Sequence, residues 1–238
     1  MLLKPVWWLA VLLLSVLVWV VWLIPAKPLL EPVDGTMLGQ APLRVARVDG
    51  RLWDGSARWQ WQRLGGTLRW QMDWRGLVPG VEFSVTGDIV ASGWVGAGAS
   101  GLDLRNVDAA APLAPFIAGM PNISAEGTVS VRGVSLEWTD SGPAAAQGKL
   151  DYTGGYVSWA VGQGATLPPL QGILRQDGEI ALVEVYSPEQ VLLADGALQR
   201  DNARLRVYRA WPALLGFSQG GSASDVVFET SQQLMPQP

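Results

Sequence analysis

The chain has 238 residues, nearly half of them apolar, which is room for one large domain or two small ones around a sizeable core. Only 16% are charged, the net charge is −4, and histidine and cysteine are absent. This excludes disulfides, thiolate chemistry, the commonest structural zinc sites and the positive field that nucleic acid requires.

The first element is Val6 to Ile24, VWWLAVLLLSVLVWVVWLI, 19 uncharged residues with Ser15 as their one polar side chain. As a helix it would span roughly 28 Å, close to the hydrocarbon thickness of a bilayer. Trp7 and Trp8 stand near one end and Trp19 and Trp22 near the other, where indoles favour the headgroup level. A cleaved signal peptide would have an apolar core of about 7–15 residues and a small-x-small site. Here the run is longer and Pro25-Ala26-Lys27-Pro28 follows, so an uncleaved anchor is expected. Lys4 is the one charged side chain before the run. The positive-inside rule therefore places the N-terminus in the cytoplasm and the rest outside, in the periplasm of a bacterium with two membranes.

Residues 1–25 then form the cytoplasmic start and anchor, and residues 26–42 a proline-punctuated linker. From there the pattern turns to period two. Ala57, Trp59 and Trp61 alternate with Arg58, Gln60 and Gln62; after Gly65-Gly66, Leu68, Trp70, Met72 and Trp74 alternate with Arg69, Gln71 and Asp73. A helix would hold Trp59 and Trp61 about 200° apart, whereas a strand puts both on one face. A hairpin with an apolar face of Trp59, Trp61, Leu68, Trp70, Met72 and Trp74 is predicted.

The same alternation recurs at 81–86, 129–131, 136–138, 150–152, 157–161, 173–175, 180–185, 197–200 and 203–207. Turns fall about every ten residues, several at Gly-Gly or Asp-Gly, Asp195-Gly196 among them, as an antiparallel meander needs. The Ala- and Pro-rich stretch from Asp108 to Pro121 and the stretch Arg209 to Gly216 are read as short helices. The fold class is mainly β: one N-terminal transmembrane helix, then a curved antiparallel meander over 43–218, either an open groove or a sandwich. Two half-similar segments, 43–107 and 122–208, flank the Ala/Pro stretch, and 219–238 form a polar tail.

Catalytic constellations are lacking. There is no histidine base, no Gly-x-Ser-x-Gly, no Walker loop, and the Asp-Gly pairs read as turns. The chain is expected to be no enzyme and to need no metal or cofactor. The tryptophans have two readings, core packing or a greasy face that receives an acyl chain or a partner. Trp94, in the glycine-rich run Ala91 to Gly98, has few local neighbours to bury it and is the candidate contact residue.

Gly50-Arg-Leu-Trp-Asp-Gly-Ser-Ala57 resembles the Gly-x-Leu/Val-Trp-x-Gly-x-Ala motif of the type II secretion system protein N family, on Gly50, Leu52, Trp53, Gly55 and Ala57. Pro25-Ala26, Pro112 to Pro121 and Leu214 to Gly216 are similar to further landmarks of that family. The resemblance implies a non-enzymatic accessory component of the inner membrane, whose partners are other inner-membrane and periplasmic secretion subunits. It also implies kinship with the AsmA-like group, which builds long curved sheets with an apolar groove. An alternative is a bitopic, lipid-handling protein that takes acyl chains.

Overall fold

The computed structural model describes residues 25–38, 41–98, 101–160, 163–217 and 220–233. The expected anchor, with Trp7, Trp8, Trp19 and Trp22, lies outside them. Among the described residues no helix is long and apolar enough to cross a membrane.

The described chain opens with a short helix, α1 (Lys27–Leu30), and a 3-10 turn over Glu31–Val33. Seven strands follow: β1 (Met37–Leu38), β2 (Ala41–Gly50), β3 (Asp54–Trp61), β4 (Leu64–Arg75), β5 (Val78–Gly87), β6 (Val90–Gly98) and β7 (Gly101–Pro112). Helix α2 (Ala114–Ile117) leads to β8 (Ser124–Ala125), β9 (Thr128–Thr139), β10 (Gly142–Tyr152), β11 (Gly155–Ala160) and β12 (Gln163–Leu167). The chain continues through β13 (Leu170–Asp177), β14 (Ile180–Tyr186), β15 (Leu192–Leu198), β16 (Asn202–Tyr208), α3 (Ala210–Leu214) and β17 (Val226–Gln233).

Fourteen of these strands make one antiparallel sheet in the order β1-β2-β3-β4-β5-β6-β7-β9-β10-β13-β14-β15-β16-β17. The small sheet β12-β11-β8 is built from the two excursions that leave it. Nearly every strand thus pairs with its neighbour in sequence, as the short turns dictate. The 43–107 and 122–208 segments are joined directly, through β7 and β9. Among the described residues the large sheet runs from β1 at one edge to β17 at the other. Register shifts, as between Ala46 and Val48 or Ser92 and Trp94, add residues on one strand and bend it.

Cross-strand partners share a face, so the register fixes two surfaces. One carries Leu43, Trp61, Leu68, Val85, Ala91, Ala109, Val131, Leu150, Val183 and Val207. The other carries Arg44, Arg58, Arg69, Glu82, Asp108, Arg132, Asp151, Glu184 and Arg206. At the C-terminal end the apolar face is filled by Leu170, Leu193 and Ala210, with Tyr152, Val185, Trp211 and Leu214 around them. Helix α3 supplies that cover.

Four local expectations are corrected. Ala91 to Gly98 is no loop but strand β6. Ala109, Ala110 and Ala111 extend β7, because β9 offers Val131, Ser130 and Val129 as partners; the helix begins only at Ala114. Pairing here overrides the high intrinsic helix propensity of three alanines, a local preference that tertiary context readily outweighs. Asp195 and Gly196 sit inside β15 opposite Arg206 and Leu205, because the carboxylate finds a cation there instead of a turn. The polar tail supplies β17, the last strand of the sheet.

Candidate functional site

The apolar face of β2 to β5 is a gutter with a partial roof. Leu43 and Val45 of β2, Trp59 and Trp61 of β3, Leu68 of β4 and Val85 of β5 form its wall, beside Ile89, with Ala57 of β3 at its floor. Leu30, Val33 and Leu38, carried by the stretch read as a linker, cross above it, and Phe116 of α2 leans in from the far end of β7. The Trp61 and Phe116 ring centroids lie 5.3 Å apart. The Trp61 indole Nε1 donates to the Leu38 carbonyl at 3.0 Å, fastening the roof to the wall. Between them is a cavity of about 570 Å³, open at one side. That is the size range of small-molecule sites, and these twelve side chains offer no charged group.

The six residues predicted for the apolar face fall as follows. Trp59, Trp61 and Leu68 line the cavity. Trp70, Met72 and Trp74 continue the same face opposite Phe83, Val81 and Pro79, away from the cavity. Trp61 is buried, Trp59 and Trp70 half-buried, and Trp74 is 61% exposed. The Trp59 Nε1 is buried without a partner. Sequence reasoning missed the roof: Leu30 and Val33, three residues apart, were the available helical signal, hidden among prolines.

The Gly50 to Ala57 motif builds the β2–β3 turn. Gly50 takes φ +101°, where a Cβ would strike the Asp54 carbonyl and Gly55. The Trp70 ring occupies the space above Gly55, and its Nε1 donates to the carbonyls of Arg51 at 3.3 Å and Leu52 at 3.1 Å. The Trp53 carbonyl accepts from the Met72 amide. Ala57, 2% exposed, is the floor of the cavity. The turn also receives the start of the described chain: Pro25 forms a β-bridge with Arg51, and the Ala26 amide donates to the Gly50 carbonyl. The motif therefore fixes where the chain arrives from residue 24.

Trp94, expected as a contact residue, is not exposed at the surface. It is fully buried on the polar face, where Gly80 and Gly96 leave a flat floor beneath its ring. The Arg75 and Arg105 guanidinium carbons lie 5.2 and 5.5 Å from the ring centroid. A floor without side chains and two cationic walls bury a ring that its own glycine-rich strand left bare.

Charge is unevenly spread. Residues 25–75 carry eight basic and five acidic side chains, residues 76–238 eight and sixteen. Among the described residues Arg105, Arg132, Arg175, Arg206 and Arg209 of the second group are ion-paired, whereas in the first only Arg75 is, to Asp73 at 3.5 Å. Among the described residues no group of three or more Asp or Glu is arranged to hold a metal ion.

The sequence of residues 41–214 matches the model of the type II secretion system protein N family, close to three quarters of the chain. The chain belongs to the type II secretion system protein N family. No curated protein and no solved structure matches it. The matched region runs from the first residue of β2 to the end of α3, so the gutter wall and the motif turn lie inside it, while α1 and β17 lie outside.

Proposed function

We propose that this protein is a non-enzymatic accessory component of the inner-membrane part of type II secretion. Residues 6–24 hold it in the membrane with the N-terminus in the cytoplasm, and the β domain is presented to other subunits in the periplasm. The family match carries this reading. The open end of the sheet supports a docking role: among the described residues β17 pairs on one side only, with β16, and all eight of its residues are exposed. An unpaired edge of that length accepts a strand from a partner.

The test is photo-crosslinking from Val227 and Thr230 in the intact membrane, with export measured in a gene deletion. Crosslinks to secretion subunits and reduced export are expected. Intact export, with no secretion subunit captured, overturns the reading.

A second reading, a bitopic lipid-handling protein, is favoured by the uncharged cavity under Leu30 and Val33. It requires that delipidated protein take up an acyl chain whose brominated form quenches Trp59 and Trp61. Absence of uptake removes it.

A further inference from the structure

The β4–β5 hairpin ends on residues that the fold does not use. Its tip is Gly76 at φ +66° and Leu77, between the terminal pair Arg75 and Val78. Leu77 is 95% exposed and Trp74, on the adjoining turn of strand, 61%. The register places this tip on the same rim of the sheet as the β2–β3 turn. The other described turns on that rim are polar: Asp140-Ser141 between β9 and β10, Gly178-Glu179 between β13 and β14, and Arg200-Asp201 between β15 and β16. Turn positions ordinarily take Gly, Asn, Asp or Ser, so an exposed leucine here has no role in the turn.

The position of the tip is the second observation. Pro25 bridges to Arg51, so the chain arrives at the β2–β3 turn directly from the apolar run ending at Ile24. Asp54, the first residue of β3, pairs with Gln71, and β4 then runs on for four residues to Arg75. At about 3.3 Å per residue the tip projects roughly 13 Å past that level, on the side from which the chain comes. Arg51 and Lys27, beside the point of arrival, have no carboxylate partner among the described residues, and Arg75 flanks Trp74.

We propose that the β4–β5 tip is a second membrane contact, with Trp74 and Leu77 seated in the headgroup boundary of the bilayer that holds residues 6–24. This rests on reading that segment as an anchor. Lys27 and Arg51, beside the point of arrival, then stand nearest the anionic headgroups. An aromatic ring and a bare leucine projecting beside cations suit the layer about 5–10 Å deep where apolar groups meet headgroups. Two contacts also fix an orientation that a single stem leaves free to swivel.

The chain has no cysteine, so Leu77→Cys and Glu179→Cys each give a single labelling site on the same rim. The full-length variants, carrying a polarity-sensitive dye, are reconstituted into phosphatidylethanolamine–phosphatidylglycerol vesicles doped with headgroup-level nitroxide lipid. The expected result is a blue-shifted dye at 77, quenched severalfold more than the dye at 179, with the difference shrinking in vesicles free of phosphatidylglycerol. A dye at 77 as wet and as unquenched as that at 179, on a chain that floats with the vesicles, overturns the proposal alone. A dye at 77 shielded only when other secretion subunits are added also overturns it, in favour of a protein contact. A chain that does not float overturns the anchor reading and this proposal together.

Discussion

Asp195 and Arg206 face each other across β15 and β16, the guanidinium forking onto the carboxylate at 2.9 and 3.0 Å while Asp195 is only 3% exposed. The Tyr208 hydroxyl donates to the same carboxylate. Replacing Asp195 by alanine strips both partners of their acceptor. Because Arg206 remains partly in water, the expected loss is about 2–3 kcal/mol. Urea unfolding of the purified protein measures it; an unchanged midpoint counts against the network.

Burial holds the Tyr152, Tyr186 and Tyr208 hydroxyls above the ordinary phenol range, reinforced at Tyr208 by its bond to Asp195. A raised phenol binds its proton more tightly in the folded state than in the unfolded one. Stability is therefore fully present below about pH 10 and is lost as pH rises through the folded-state values. Tyr208→Phe should flatten that alkaline decline, read from thermal midpoints recorded between neutral pH and strong alkali.

Gly96→Ala places a methyl where the Trp94 ring lies over the sheet. Overpacking of this kind costs about 1–3 kcal/mol. The displaced ring should also red-shift its emission, and Gly80→Ala should behave alike. A substitution that leaves both the melting temperature and the spectrum unchanged would show the floor to be slack.

Trp70→Phe keeps a ring over Gly55 but deletes the donor to the Arg51 and Leu52 carbonyls, a loss of about 1 kcal/mol. The local consequence is more telling: with the turn loosened, the Ala26 amide, bonded to the Gly50 carbonyl, should exchange its hydrogen faster. Exchange mass spectrometry of the peptide covering Ala26 decides this.

Ala57→Phe puts a large ring on the floor of the cavity. If acyl chains enter there, uptake of a fluorescent acyl probe falls while circular dichroism stays β. Equal uptake by both proteins would locate any lipid elsewhere.

The rhythm of the strands was open to a reader of the sequence because turn residues and alternation are local properties. The alternation of 57–62 and 67–74 led directly to β3 and β4. Burial was harder, since it depends on what a neighbouring strand lacks: Trp94 is enclosed because positions 80 and 96 have no side chain, and nothing near Trp94 in the sequence reports position 80. Asp195-Gly196 misled for a similar reason, since the cation that holds the carboxylate stands 11 residues away. The roof of the gutter was hidden by the prolines of 25–42, which break a long helix but leave one turn of it intact.

The ribbon grows by one strand at a time along the chain, except where β7 pairs with β9 and β10 with β13 across the excursions that form the small sheet. Each new hairpin needs only the previous one as a template. A chain delivered N-terminus first would therefore lay down the wall of the gutter before Phe116, which closes on Trp61 from 55 residues further along, has emerged.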